Sequence, residues 1–238
     1  MKNYWFYVLG IFVVVAACRK ENNSTSNNDE FLIRGNKYVL NWSDEFEYNG
    51  LPDSTKWSYE TGYVRNNETQ YYTDKRIENC HVYDGVLHII ARNDTFEEHP
   101  VSSASIETLG KKDFLYGLIE VRAKMPHLGG GTWPAIWMVG VNRAQVGWPK
   151  CGEIDIVEWI RNAPFVALGS LYVQGAASSK YAERHWPFIS INTDFFTEEF
   201  HNYAIEWDST QIKYFVDDAN YVTFTKQDLG ADWEPLLK

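Results

Sequence analysis

From Lys37 onward, apolar and polar positions alternate in short runs closed by turns, and this period of two reads as strands. Gly117 to Lys124 is the plainest case. Leu118, Glu120, Arg122 and Lys124 fall on one face, with Ile119, Val121 and Ala123 on the other. Within Val82 to Ala91, a Tyr-Asp-Gly turn precedes the apolar run Val86-Leu87-His88-Ile89-Ile90, which is a hairpin signature. Another strand pair is predicted over Tyr203 to Trp207 and Ile212 to Val216, joined through the polar Asp208-Ser209-Thr210 turn. Helical periodicity is absent over any long stretch, and only Thr197 to His201 suggests a brief helical turn. Gly129-Gly130-Gly131 reads as a mobile loop. The pattern predicts an antiparallel all-β sandwich.

The first residues break this pattern. Lys2 gives a positive start, Trp5 to Val15 form an apolar run too short to span a bilayer comfortably, and Ala16-Ala17 suit a signal peptidase. Val15-Ala16-Ala17-Cys18 also resembles a bacterial lipobox, in which the cysteine becomes the lipidated first residue. The expectation is a lipoprotein signal peptide over 1–18, a polar Asn/Ser-rich tether over 19–36, and one domain over 37–238. An exported protein follows, membrane-anchored through Cys18 and facing the bacterial periplasm or the cell surface.

Charge narrows the choice of ligand. A formal net charge of −10 repels a phosphate backbone, so nucleic acid is not an expected partner. A neutral ligand fits better. Ten Trp and fifteen Tyr supply flat amphipathic rings that stack on the apolar faces of sugars, although many of them also fill a sandwich core. Cys80 and Cys151 are far enough apart in sequence to pair or to stay as buried thiols. No His/Cys cluster has metal-ligand spacing and no Gly-rich loop sits between a strand and a helix, so no metal and no cofactor is expected. The chain is expected to be a monomer.

Candidate chemistry concentrates in Cys151-Gly152-Glu153-Ile154-Asp155-Ile156-Val157-Glu158-Trp159. On a strand Glu153 and Asp155 share a face, whereas Glu158 breaks the parity unless a β-bulge near Val157 absorbs one extra residue. With that bulge all three carboxylates enter one cleft. About 3.3 Å per residue then leaves roughly 13 Å of strand between the two Glu backbones. Side chains leaning inward by roughly 4 Å each bring the carboxyls to about 5 Å, the separation of retaining glycosidases. Three crowded carboxylates resist ionising together, so one is held protonated as a general acid requires. An acidic-apolar alternation is also what a solvated outer face shows, but Trp133, Trp137, Trp148 and Trp159 flank this one, and a solvated face gains little from such rings.

The runs Gly131-Thr132-Trp133-Pro134-Ala135-Ile136-Trp137-Met138 and Trp148-Pro149-Lys150-Cys151-Gly152-Glu153-Ile154-Asp155-Ile156-Val157-Glu158 resemble glycoside hydrolase family 16, especially its laminarinase-like bacterial members. So do Trp42-Ser43-Asp44-Glu45-Phe46, Asn66-Asn67-Glu68-Thr69-Gln70-Tyr71-Tyr72 and Phe200-His201-Asn202-Tyr203-Ala204-Ile205-Glu206-Trp207. The resemblance implies a β-jelly-roll sandwich of the concanavalin A type with a concave substrate cleft. It implies Glu153 as nucleophile, Glu158 as acid/base and Asp155 as their assistant. It places Trp133, Trp137 and Trp148 at or near the cleft, and Asn67 and Glu68 on a loop bordering the sugar sites. His201 reads as structural. The implied reaction is retaining endo-hydrolysis of a β-linked polysaccharide, foremost β-1,3-glucan such as laminarin.

Two departures from the family pattern carry consequences. Tyr172 in Gly169-Ser170-Leu171-Tyr172 stands where relatives often have His, which alters a polar contact near the acid/base. The chain ends at Pro235-Leu236-Leu237-Lys238, where relatives continue, so a catalytic domain without its C-terminal strands is expected. Two other readings remain open at this point. One is an agarase- or porphyranase-type galactan hydrolase, with Arg65, Arg143, Arg161 or Arg184 at the sugar subsites. The other is a catalytically silent carbohydrate-binding lipoprotein.

Overall fold

A computed structural model describes residues 4–13, 30–127, 131–175, 182–192 and 194–237. The strands in chain order are β1 (Tyr4–Val13), β2 (Glu30–Ile33), β3 (Asn36–Val39), β4 (Trp42–Asp44), β5 (Ser58–Glu60) and β6 (Tyr71–Tyr72). Next come β7 (Cys80–Tyr83), β8 (Val86–Ala91), β9 (Ser102–Ser103), β10 (Ser105–Glu107), β11 (Gly117–Lys124) and β12 (Ala135–Val139). The last six are β13 (Glu153–Trp159), β14 (Val166–Val173), β15 (Ala182–Ile189), β16 (His201–Trp207), β17 (Gln211–Val216) and β18 (Ala219–Thr225).

Two open sheets face each other. One runs β18-β17-β16-β11-β1-β8-β7, with β4 also on β1, and the other runs β12-β13-β14-β15. The alternation read from the sequence builds the space between them. Ile119, Val121 and Ala123 of β11 and Tyr203 and Ile205 of β16 meet Ile154 and Ile156 of β13 and Leu171 and Val173 of β14, all buried. A polar tie crosses the same space, Tyr214 Oη on β17 donating to the Ser170 carbonyl at 2.9 Å. Gly169 makes that approach possible. A Cβ there would lie 2.4 Å from Tyr221 Oη and 2.6 Å from the Tyr214 ring.

The predicted hairpin is β7–β8, turning at Asp84 and Gly85 with φ of 52° and 72°, the left-handed pair that a tight hairpin demands. The strands predicted at 117–124, 203–207 and 212–216 are β11, β16 and β17. Helix is scarce, as expected: α1 (Arg143–Val146), α2 (Phe195–Glu198), α3 (Lys226–Leu229) and a 3₁₀ segment (Gly230–Leu237). The turn expected at Thr197 to His201 lies upstream as α2, because His201 already pairs with Ala123 in the main sheet.

The expected tether over 19–36 needs correction at its end. Residues 30–36 belong to the β2–β3 hairpin, whose Ile33 and Tyr38 pack on Leu118, Ala204 and Phe215 across the outer face of the main sheet. Leu118 is therefore buried although it shares a face with Glu120. Arg34 at the turn reaches Glu120 and Glu206 at 3.5 and 3.4 Å and lies 4.1 Å over the Phe215 ring. Cys18 and the remaining tether residues lie outside the described residues, as do Gly129 and Gly130. The backbone of Tyr4–Val13, which reads as a signal-peptide run, is strand β1 between β8 and β11. Cys80 and Cys151 are both free and buried.

Candidate active site

The exposed face of the four-stranded sheet carries the carboxylates, and β13 brings them together by an irregular register. On one side Trp137 pairs with Asp155 and Ile136 with Val157, so Ile156 is the extra residue. On the other, Asp155 pairs with Ser170 and Glu158 with Leu168, three steps of β13 against two of β14. The bulge that parity demands is present, one residue before Val157. Ile154, Ile156 and Val157 fill the core behind it.

Each acid has distinct partners. Glu153 Oε2 accepts from Trp148 Nε1 at 2.8 Å, and Glu158 accepts from Trp133 Nε1 at 3.1 Å and from Ser170 Oγ at 3.0 Å. Trp133 and Trp148 are 60% and 52% exposed, so each holds an acid with its N–H while its ring stays open to a ligand. Asp155 is only 3% exposed. Burial, reinforced by the charges of Glu153 and Glu158, pushes its carboxyl far above the ordinary carboxylate range. Held protonated, Asp155 donates to Glu153, which opposes the upward push that burial and Glu158 exert on Glu153.

A second ring of groups supports Trp137. Arg65 lies 5.1 Å from its ring and 5.5 Å from that of Tyr72, and pairs with Glu60. Burial works against the Arg65 charge, but Glu60 overcomes it and holds the guanidinium firmly protonated. Arg143 reaches Glu107 at 2.9 Å and Glu60 at 3.7 Å. Glu68 accepts from Gln70 Nε2 at 2.9 Å and from Tyr72 Oη at 2.8 Å, so its carboxylate braces the loop. Asn67 is exposed with φ of 52°, a conformation Asn tolerates at a turn.

The structure thus gathers Glu153, Asp155, Glu158, Trp133 and Trp148 at one place. Trp137 sits beside them under Arg65, and Asn67 and Glu68 stand one layer further out. His201 lies on the other sheet, stacked on Phe195 with ring centroids 3.8 Å apart and bonded to Asp217 and the Phe195 carbonyl. Neither the bond from Ser170 to Glu158 nor the contact of Arg65 with Trp137 is readable from the chain, since both depend on which segments become neighbours. The candidate set holds no three-residue group of metal ligands among the described residues.

Comparison with known proteins agrees with this geometry. The profile of glycosyl hydrolases family 16 matches residues 52–235. A beta-glucanase of Rhodothermus marinus is 43% identical over 204 residues, 82% of this chain and 70% of its own length. The X-ray structure of the laminarinase from that organism superposes with a TM-score of 0.74 at 41% identity, covering 84% of this chain and 81% of that one. SCLam, a non-specific endo-β-1,3(4)-glucanase of family 16 solved with 1,3-β-D-cellobiosyl-glucose at its active site, gives a TM-score of 0.74 at 30% identity, over 89% of this chain and 81% of its own. The bulged three-acid strand, the sandwich that carries it and these matches have one source: the chain belongs to glycosyl hydrolases family 16.

Proposed function

We propose that this family 16 hydrolase cuts β-1,3-glucan within the chain and retains anomeric configuration, with Glu153 as nucleophile and Glu158 as acid/base. The observation that carries this reading is the unequal company of the two glutamates on one bulged strand. Glu153 accepts hydrogen bonds from Trp148 and from protonated Asp155, which favour a carboxylate ready to attack. Glu158 is held by Trp133 and Ser170 from the opposite side. In the first half-reaction a Glu153 oxygen bonds to the anomeric carbon while Glu158 gives its proton to the departing glycosidic oxygen. In the second, Glu158 takes a proton from water, the hydroxide oxygen displaces Glu153, and the β-configuration returns. As the ester forms, Glu153 loses its charge, and one of the repulsions that keep Asp155 protonated is relieved.

The choice of glucan rests on the relatives named a beta-glucanase and a laminarinase. A sulfated galactan would need unpaired cations at the subsites. Arg65 and Arg143 instead spend their charge on Glu60 and Glu107, while Arg184 donates to the Glu183 carbonyl and Arg161 lies over Trp159. We further propose export and lipid anchoring at Cys18, supported by the Val15-Ala16-Ala17-Cys18 pattern. A lipid-modified N-terminal peptide beginning at Cys18, detected by mass spectrometry of membrane fractions, tests this.

The catalytic reading is tested by reducing ends released from laminarin and by NMR of the first anomer formed. Release by the parent, a loss of about 10⁴-fold or more in Glu153→Ala, and β-product appearing first are expected. First appearance of α-product would refute retention, and activity surviving in Glu153→Ala would refute the nucleophile.

A further inference from the structure

The hydrogen bonds at Glu158 continue outward beyond the groups that the reaction itself uses. Ser170 Oγ, fully buried on β14, donates to Glu158 at 3.0 Å, and the same oxygen lies 3.0 Å from His185 Nδ1 on β15. Register produces this contact, because Ser170 and His185 stand directly opposite each other. The other ring nitrogen, Nε2, is paired with Glu183 Oε1 on the same edge of β15, and Tyr172 Oη stands 3.5 Å from it. Four side chains from three strands therefore form one line: Glu158, Ser170, His185, Glu183.

We propose that His185 is a positioning residue which, through Ser170, shares a proton with Glu158 and so sustains its supply to the leaving group; this rests on the reading of Glu158 as acid/base. The line accommodates one mobile proton in two arrangements. With Glu158 ionised, imidazolium Nδ1–H donates to Ser170 Oγ, whose O–H donates to Glu158, while Nε2–H donates to Glu183. With Glu158 protonated, its O–H donates to Ser170 Oγ, the Ser hydroxyl turns to donate to Nδ1 of the now neutral ring, and Nε2–H stays on Glu183. Passing from the first to the second moves the Nδ1 proton to the Ser170 oxygen and the Ser170 proton to Glu158. Only N–H and O–H bonds change, and the total charge is conserved.

Glu183 fixes the proton on Nε2, so that Nδ1 is the nitrogen that gives and takes. Imidazole suits the role because each of its ring nitrogens can either donate or accept a proton. Among the described residues, Tyr172 on β14 stands beside this line under the charges of Glu158, Asp155, Glu183 and Glu153, and the nearby cation Arg184 is turned to the Glu183 carbonyl. Among these described groups only His185 carries an imidazole. It also supplies, from the neighbouring strand, an imidazole beside Tyr172, at a ring separation of 5.2 Å.

Two sites sharing a proton release it at higher pH than one of them alone. The test is the pH profile of kcat/KM on laminarin for the parent, His185→Gln, Ser170→Ala and the double variant, each checked for folding by thermal denaturation. The alkaline limb is expected to move to lower pH by about one unit in His185→Gln, with a loss of about tenfold at pH 8 and little at pH 5. Ser170→Ala is expected to do the same, and the double variant to add nothing. On an aryl β-laminaribioside with a dinitrophenolate leaving group, which departs without a proton, the burst of phenol released by His185→Gln should match the parent. A uniform loss at every pH, or additive losses in the double variant, would overturn the proposal and leave His185 a packing role. Should His185→Gln not fold, Ser170→Ala carries the same test alone. Azide rescue of Glu158→Ala separates the two ideas. No rescue refutes the acid/base assignment, whereas rescue with an unmoved limb refutes only the role of His185.

Discussion

Asp155 shows how much of this site is decided by one residue's surroundings. Its carboxyl is buried between two other acids, and that burial is what keeps it a proton donor to Glu153 at neutral pH. The same shift has a sign for stability. A group whose folded pKa is raised contributes fully below its unfolded value, 3.8 here, and that contribution drains away as pH rises toward the folded value. Asp155→Asn keeps the shape and an N–H donor while removing the titration. The variant is therefore expected to melt higher than the parent at pH 8 and no higher at pH 4, while kcat falls about tenfold or more because the adjustable proton is gone. Equal melting curves at both pH values would mean that Asp155 ionises freely. Strand parity made Glu153 and Asp155 legible as neighbours on one face, Glu158 joined them only through an assumed bulge, and the tryptophans were placed by the family resemblance. Ser170, His185 and Arg65 were not legible, since their roles come from Leu168-to-Tyr172 lying beside β13, β15 lying beside β14, and a loop folding over Trp137, none of which a single-strand pattern contains.

At the scale of elements, the same limitation accounts for the hairpin that the sequence assigned to a tether. Asn/Ser-rich sequence gives no core signal before Glu30, and Phe31, Ile33 and Tyr38 are too few to announce a fold until a sheet is there to receive them. Packing then makes Arg34 indispensable to that contact. Its guanidinium enters between Glu120 and Glu206, whose side chains are 14% and 10% exposed. Burial pushes Glu120 upward and Arg34 holds it down. Arg34→Ala leaves two half-desolvated carboxylates facing each other, an expected loss of about 3 kcal/mol as for a broken buried pair. The loss should be larger at pH 8 than at pH 5, where Glu120 can take up a proton. Urea denaturation at both pH values measures it, and kcat on laminarin should not change, because the hairpin lies on the sheet opposite to β13. A pH-independent loss would instead mark simple loss of packing.

For the whole molecule, residues 1–18 have two mutually exclusive destinations, since one segment cannot be both an excised export signal and a strand of the mature sheet. The backbone of β1 pairs with β8 from Tyr4–Ala91 to Val8–Leu87 and with β11 from Tyr7–Lys124 to Phe12–Glu120, so removing it opens both neighbours. The apolar run was legible, but its destination was not, because hydrophobicity alone suits a peptidase channel as well as a gap between two strands. Each lost ladder bond costs about 1 kcal/mol net. A chain of this size shifts by about 2–4 °C per kcal/mol. Residues 19–238 are therefore expected to melt about 10 °C or more below the full chain, while the kcat of the protein still folded is preserved because β13 belongs to the other sheet. Differential scanning calorimetry of the two forms, with laminarin turnover at low temperature, reads both quantities. Coincident melting would show that β8 and β11 do not depend on β1, consistent with the proposed export role of the segment; a lower melting point with intact turnover would make β1 a stabilising strand that the proposed anchoring at Cys18 would give up.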